Sequence, residues 1–480
     1  MLGGPPFDKM NLSKGGFLME TKLNYKRTFL IGLAFLSICS FWQMYDNIIP
    51  LILQNTYHLG ETMTGAVMAL DNVLAIFLLP VFGTLSDKVH TKLGRRMPFI
   101  VAGTILAVIF MMLLPMIDNA EKARWSTGES FSNQVIFLAV LFFTLVSMGL
   151  YRSPAVALMP DVTPNHLRSR ANAVINLMGA VGGVYALIMI KVLVGKGETP
   201  DYLPLFASIA AVMAIAVGIL VITIRENKLR EEVEKAEAAN TEKVEEKAIA
   251  EGVEAAGEIE AVADAEQSGA TGKTKGMPKE VKRSMYFMLA SIFLWFTAYN
   301  AVTTAFSRYT KVVWKMEGGS FANCLMVATV AAILSYIPIG SISAKIGRKK
   351  TIMGGVLLMA ACYGAAIFAR EYHPIVNVAF ALIGVAWAAI NVNSYPMIVA
   401  MSSGSDVGKF TGTYYTFSMA AQILTPVLSG FLLENVSYNT LFPYALFFSL
   451  MAFLTMTQVR HGDVKPQKKE SILENFDVDD

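Results

Sequence analysis

The chain has 480 residues, of which 54% are hydrophobic and 16% charged, with a formal net charge of +3. A soluble chain would carry about 25% charged residues, and the shortfall here is concentrated in long apolar runs separated by short polar loops. That pattern excludes an ordinary soluble protein or a nucleic-acid binder and points to a polytopic protein in a lipid bilayer. The three cysteines (Cys39, Cys324, Cys362) all lie in apolar runs, so neither a disulfide framework nor a cysteine metal site is expected.

Residues 1–27 form no obvious element and are expected to be a cytoplasmic segment. Gly15-Gly16 can be encoded by a ribosome-binding sequence, which makes Met19 a candidate natural start. A spanning helix needs about 20 apolar residues. Twelve runs qualify, near 28–54, 62–85, 97–117, 133–157, 171–194, 203–224, 284–307, 320–344, 350–369, 374–400, 410–434 and 439–458. The first run is a full-length span, so no cleavable signal peptide is expected. Residues 28–224 and 284–459 then form two six-helix bundles, joined by a charged cytoplasmic linker over 225–283 and followed by a cytoplasmic tail over 460–480. The expected fold class is an all-α polytopic membrane protein with twelve transmembrane helices. The linker is rich in Ala, Glu and Lys and reads as a solvated spacer.

Lys and Arg favour cytoplasmic loops. They mark the N-terminus (Lys22, Lys26, Arg27), the loop after the second span (Lys88, Lys92, Arg95, Arg96), the loop after the fourth (Arg168, Arg170), the linker, the loop after the eighth (Lys345, Arg348, Lys349, Lys350) and the tail. Arg308, Lys311 and Lys315 after the seventh span are the exceptions. Both termini are therefore expected in the cytoplasm, and a bacterial plasma membrane fits best. "QSGATGKT" in the linker imitates a phosphate-binding loop, but Gln267 replaces the first glycine and no strand precedes it. With no metal-spaced cluster and no nucleophile elbow, no enzyme, metal or cofactor is expected.

Two loops match across the halves. "GTLSDKVHTKLGRRMPF" (Gly83 to Phe99) joins spans two and three, and "GSISAKIGRKKT" (Gly340 to Thr351) joins spans eight and nine. The shared glycines and paired cations imply an internal repeat of parallel topology. Gly83, Asp87, Gly94, Arg95 and Arg96 in the first loop, with Gly340, Gly347, Arg348 and Lys349 in the second, are candidates for a cytoplasmic gate. Asp87 is expected to cap or to pair with Arg95 or Arg96 across that interface.

These loops resemble the signature of the major facilitator superfamily, whose fold is two six-helix bundles around a central cavity. The longer first loop is similar to that of sucrose–proton symporters and, more distantly, of glycoside–cation symporters of the melibiose type. "ALMPDVTPNHLRSRANAV" (Ala157 to Val174) resembles the same group. The resemblance implies a secondary active transporter without enzymatic activity. Two departures stand out. The helix-two aspartates of melibiose-type carriers fall on Ala75 and Leu79 here, and the helix-four acid of plant sucrose carriers falls on Leu145.

Coupling must then use other residues. Asp46 in "FWQMYDNIIPLIL" and Asp71 in "VMALDNVLAIFLLP" sit inside apolar spans, where an aspartate costs about 2.5–3.5 kcal/mol. Both lie about 12–14 Å below one surface at 1.5 Å per residue, so they are expected to share a cavity. No histidine lies in the spans, which leaves these carboxylates as the candidate proton sites, with sodium an alternative cation. Arg152 is the expected charge partner. A sugar would be held by aromatic faces and amides: Trp42, Gln43, Tyr45 and Asn47 on the first span, Asn72 on the second, Tyr299 and Asn300 on the seventh, Asn391, Asn393 and Tyr395 on the tenth, and Tyr415 and Gln422 on the eleventh. Gly179, Gly182 and Gly183, with Pro426 and Gly430, are expected to serve packing and bending. The expected function is monomeric, proton-coupled import of an α-glucoside such as sucrose or maltose. Proton-coupled efflux of a drug or metabolite is one alternative, and a non-transporting sugar sensor the other.

Overall fold

The computed structural model describes residues 23–125, 133–197, 199–235, 237–238, 278–401 and 407–463. Met19, the loop-like linker motif and the tail beyond 463 lie outside these. Among the described residues, twelve long helices run between two ends of the molecule. In the first half these are α1 (Tyr25–Asn55), α2 (Glu61–Lys88), α3 (Met97–Trp125), α4 (Gln134–Asp161), α5 (Arg168–Leu193) and α6 (Leu203–Thr223). In the second they are α7 (Lys279–Val312), α8 (Ala322–Ile346), α9 (Arg348–Ala366), α10 (Val376–Met401), α11 (Val407–Asn435) and α12 (Leu441–Thr457). Eleven of them are long and apolar enough to cross a membrane; the exception, α9, has 19 residues and opens on Arg348, Lys349 and Lys350. The chain is a multi-pass membrane protein.

Two helices outrun their apolar segments. α3 continues past residue 117 to Trp125, because its polar last turns are anchored rather than exposed. There Asp118 accepts from Thr56 Oγ1 at 2.6 Å and pairs with Lys122 at 2.5 Å, four residues on. α7 starts at Lys279, straight after Pro278 and ahead of its apolar run, as helices whose first turn is solvated can do. The linker is also not uniformly irregular, since residues 226–235 form a helical stretch.

The halves pack alike. α1 lies against α5 and α6, α3 against α4 and α6, and α2 against α4; adding six to each number gives the packing of the second half. Between the halves α2 meets α11, α5 meets α8, and α1 meets α7. Each of those pairs maps onto itself or its mate when six is added or subtracted, so the bundles are related by a pseudo-twofold axis. Within the first bundle a Cβ at Gly182 would strike the Leu36 backbone, and Ser40 Oγ donates to the Gly182 carbonyl at 2.9 Å. That is the close helix approach expected of this glycine cluster.

The end bearing the repeated basic loops is the basic end. Here Gly94 (φ +123°) and Gly347 (φ +94°) adopt backbone angles that side chains disfavour. Each turn is followed by a helix whose first amides meet a carboxylate contributed from beyond its bundle's last helix. Glu226, fully buried, accepts from the backbone N–H groups of Arg95 (2.9 Å), Arg96 (3.0 Å) and Met97 (3.0 Å) at the start of α3. Asp463 accepts from Lys349 N at 3.0 Å at the start of α9. A Cβ on Gly94 would collide with Glu226, and one on Gly347 would lie 3.0 Å from Asp463. The carboxylates satisfy orphan helix-start donors and complement the helix dipole. The Gly83 carbonyl accepts from Ser86 Oγ, and the Gly340 carbonyl from Ser343 Oγ, which completes the match.

At the opposite end the two bundles are fastened together. Glu61 opens α2 and Arg308 closes α7; they are 4% and 3% exposed and pair at 2.8 Å. Tyr438 Oη donates to the other Glu61 oxygen. Glu434 at the end of α11 accepts from Thr62 N at 2.8 Å. Gly65 faces the Pro426 carbonyl, and a Cβ on Gly430 would lie 2.5 Å from the Glu61 carbonyl, so larger residues would hold α2 and α11 apart. Every cross-bundle hydrogen bond, ion pair and glycine approach described lies at this end. α2 and α8 have 17% and 22% of their apolar windows buried, against 39% and 44% for the outer helices α3 and α6. The bundles meet at the opposite end and part towards the basic end.

Replacing Glu226 by Ala leaves three buried donors unpaired, at about 1–3 kcal/mol for an unsatisfied group. The thermal midpoint of the detergent-solubilised protein should fall clearly, with Glu226→Gln in between. Glu61→Gln leaves Arg308 as an uncompensated buried charge, worth about 3–5 kcal/mol. The double variant Glu61→Gln/Arg308→Gln should be less destabilised than Glu61→Gln alone; simple additivity of the two midpoint shifts would count against the pair.

Candidate functional site

On α1 the side chains at 42, 45 and 46 lie on one face, at i, i+3 and i+4 spacing. That face meets α2 and α4 around a small cavity of about 20 Å³, whose lining includes Trp42, Asp71, Ala75, Leu79, Leu145 and Arg152. A volume of ~10–15 Å³ already holds one water molecule, so this space suits a water or a proton relay and excludes a sugar ring. Gly149 makes room for the Leu78 side chain, which a Cβ there would approach to 3.3 Å. Ser153 Oγ donates to the Leu79 carbonyl at 2.8 Å and ties α4 to α2.

Asp71 is partnered rather than stranded. Asn72 Nδ2 donates to its Oδ1 at 2.8 Å, and Arg152 is near enough to attract it. The Arg152 guanidinium also lies over the Trp42 ring, 5.8 Å from its centroid, in cation–π range. Asp46, half-buried on α1, is near enough for its charge to interact with that of Asp71. The structure thus brings together Asp46, Asp71, Asn72, Arg152 and Trp42. Tyr45 joins them from behind, fully buried, edge-on to Trp42 at 5.4 Å and stacked on Phe41 at 6.0 Å.

The other candidates divide between the bundles. Asn47 donates to the Gln43 carbonyl at 2.8 Å while its Oδ1 is buried without a partner. Gln43 itself is directed towards α5, where a Cβ on Gly183 would lie 3.8 Å from its Oε1. In the second bundle Tyr299 stacks on Trp387, 3.8 Å between ring centroids and 7° from parallel. Asn300 Nδ2 is buried with no partner. Asn393 donates to the Ala389 carbonyl at 2.9 Å and leaves its Oδ1 unpaired. Asn391 is buried, and Gln422 is half-buried on α11. Tyr395 shares a hydrogen bond with Thr411 at 3.0 Å and is edge-on to Tyr414, which is edge-on to Tyr415. The unpaired Trp42 Nε1 and Tyr45 Oη complete a set of buried polar atoms on α1, α7 and α10.

In the first basic loop Asp87 does meet the expected arginines, but within one bundle and not across an interface. Asp87 bonds to Arg96 and lies 3.8 Å from Arg95, within its own loop. Both arginines also hold Asp161 at the end of α4, Arg95 at 2.7 Å and Arg96 at 2.8 Å. Lys349 Nζ donates to the Thr457 carbonyl at 3.0 Å, again inside one bundle. Sequence reading overlooked Asp161, Glu226 and Asp463, because an acid beside a basic loop looks like ordinary surface. It overlooked Trp387 too, although the aromatic one turn before Asn391 was a usable signal.

A search of known proteins places this arrangement. The family profile described as Major Facilitator Superfamily matches residues 31–331 and 314–475. Sucrose transport protein SUC4 of Arabidopsis thaliana is 35% identical over 116 residues, 23% of this chain and 22% of that protein. Sucrose transport protein SUT3 of Oryza sativa subsp. japonica is 26% identical over 137 residues, 27% of each chain. The similarity thus spans about a quarter of the length of these relatives. Among solved structures, the inward-open xylose transporter XylE from E. coli aligns with a TM-score of 0.62 at 13% identity, covering 94% of this chain and 98% of that one. A bacterial homologue of the iron transporter ferroportin aligns with a TM-score of 0.62 at 12% identity, covering 91% and 99%. With nearly the whole chain matched by the profile and the fold shared end to end, this protein belongs to the Major Facilitator Superfamily, a family of transporters.

Proposed function

We propose that the protein imports an α-glucoside such as sucrose or maltose together with protons across a bacterial plasma membrane, acting as a monomer. The observation that carries this reading is the water-sized cavity lined together by Asp71, Arg152 and Trp42, with Asp46 near enough for its charge to interact with that of Asp71. The sequence similarity to sucrose transport proteins supports the sugar class. Carriers that this chain resembles place acids at the positions of Ala75, Leu79 and Leu145, and all three of these line the same cavity. Here they are apolar, and Asp71, one turn before Ala75 on the same helix face, supplies the carboxylate.

With the basic end in the cytoplasm, the Glu61–Arg308 end is the outer gate, and the structure is closed outside and parted inside. Asp71 takes up its proton when the outer gate is open. Once neutral, it no longer attracts Arg152, which would then turn to sugar hydroxyls. Sugar and proton thereby favour one another's binding. The sugar would be held by amides of both bundles, since Asn47, Asn300 and Asn393 carry buried unpaired atoms that a polyhydroxylated ligand would satisfy once the helices rearrange around it. Opening inward releases the sugar, and the return of Arg152 to Asp71 expels the proton.

Purified protein in liposomes should accumulate labelled sucrose or maltose under an imposed proton gradient and not under a sodium gradient. Asp71→Asn should abolish accumulation while sugar exchange across the membrane persists, and Asp46→Asn should weaken it. Adding Ala75→Asp to Asp71→Asn should restore part of the accumulation, because the carboxylate returns to the same cavity. Full accumulation by Asp71→Asn would remove Asp71 from the coupling role.

A further inference from the structure

At the basic end a second cavity, of about 270 Å³, opens between the start of α1, the end of α6 and the helical stretch 226–235. Four cations line it, Lys26, Arg27, Arg225 and Lys228, with one carboxylate, Glu232. Lys228 and Glu232 pair at 3.8 Å, and both remain largely solvated. The lining therefore carries three net positive charges. Leu30 supplies part of the apolar floor.

The position of the cavity decides its ligand. Beside it on α6, Ile222 is 83% exposed, and on α1 Phe29 is 39% exposed. These apolar surfaces face acyl chains in a bilayer. The cations follow within a turn or two along the chain, where acyl chains give way to headgroups. The volume is near the lower end of small-molecule pockets, about 300–1,000 Å³, which admits a phosphate with its glycerol.

The wall is built rather than incidental. Glu226 locks the start of the helical stretch to α3 through three backbone N–H groups. Asn227 Nδ2 bonds the Thr91 carbonyl at 2.9 Å. Lys228 follows directly and lines the cleft. Across it, Asn24 Oδ1 accepts from Arg27 N at 3.1 Å and fixes the first turn of α1.

We propose that this cleft binds the phosphate-bearing headgroup of an anionic phospholipid. Basic clusters at membrane surfaces gain about 1 kcal/mol per cation from anionic lipid, or roughly fivefold in affinity. The lipid would clamp α1 to α6 at the end where the bundles have parted, and it would do so whichever substrate is carried.

The full-length protein in neutral detergent is titrated with phosphatidylglycerol, phosphatidylcholine or inorganic phosphate, with thermal stabilisation as the readout. Phosphatidylglycerol should stabilise at lower concentration than phosphatidylcholine. Arg225→Gln/Lys228→Gln should weaken the phosphatidylglycerol response by about fivefold per charge removed. The matched control Lys282→Gln/Arg283→Gln, at the start of α7, should leave it unchanged. Equal weakening by the control would reduce the effect to diffuse surface charge and overturn the site. Equal stabilisation by inorganic phosphate would make the occupant a soluble anion and overturn the lipid assignment. Should the double variant not fold, the exposed Lys26→Gln tests the same cleft, with about fivefold weakening expected and no change overturning it.

Discussion

A charge inside hydrocarbon has no water to fall back on, so each one must meet a partner within the protein. This requirement governs where the bundles touch. The Glu61–Arg308 pair lies between two helices of different bundles, and neither member is more than 4% exposed. Separating the bundles at that end exposes both charges to solvent, which compensates for the lost contact. A buried ion pair is close to neutral in net stability yet costly to break on one side only. Such a contact can hold a closed gate without making it irreversible.

The same requirement explains the duplicated basic end. Each bundle must begin its third helix beside a tight glycine turn, where the first backbone N–H groups have no helical partner. Glu226 and Asp463 meet this need in equivalent places, each arriving just after the last helix of its bundle. The carboxylates bind each bundle to its own trailing segment and not to the other bundle. Each bundle is thereby tied within itself at this end, as the rocking of the proposed mechanism requires. Arg95 and Arg96 extend the pattern by gathering Asp87 and Asp161 within the first body.

Much of this was legible in the sequence. The twelve apolar runs, the charged linker and the matched loops at Gly83 and Gly340 gave the architecture, since lipid selects apolar length with little dependence on tertiary detail. The approach of Asp46 to Asp71 followed from equal depth along two joined helices, a nearly one-dimensional quantity, whereas Arg152 entered only as an expected charge partner. What stayed hidden depends on pairing between distant segments. Arg308 registered only as an exception in the charge count, and Glu61 as nothing, because an acid at a helix start reads as an ordinary interfacial residue. Helix ends at Trp125 and Lys279 were missed for a related reason: polar turns continue a helix when a partner such as Thr56 or a solvated surface supports them.

In the proposed mechanism the cavity at Asp71 separates proton binding from sugar binding, two tasks that one carboxylate could otherwise have combined. About 20 Å³ excludes a sugar ring, so no hydroxyl of a bound glucoside would displace the proton there. Under the proposed mechanism the link between the two ligands must be a movable group that reaches both. Arg152 is placed for this: its guanidinium lies over Trp42 on α1 while it attracts Asp71 on α2. A lysine there would present one compact charge, whereas the planar guanidinium can stack and bond along its edge at once. Moving the acid by one helical turn, from the Ala75 position to Asp71, keeps it on the same face and within the same cavity. On the proposed reading, the carboxylate keeps its place in space while the residue that supplies it shifts along the sequence.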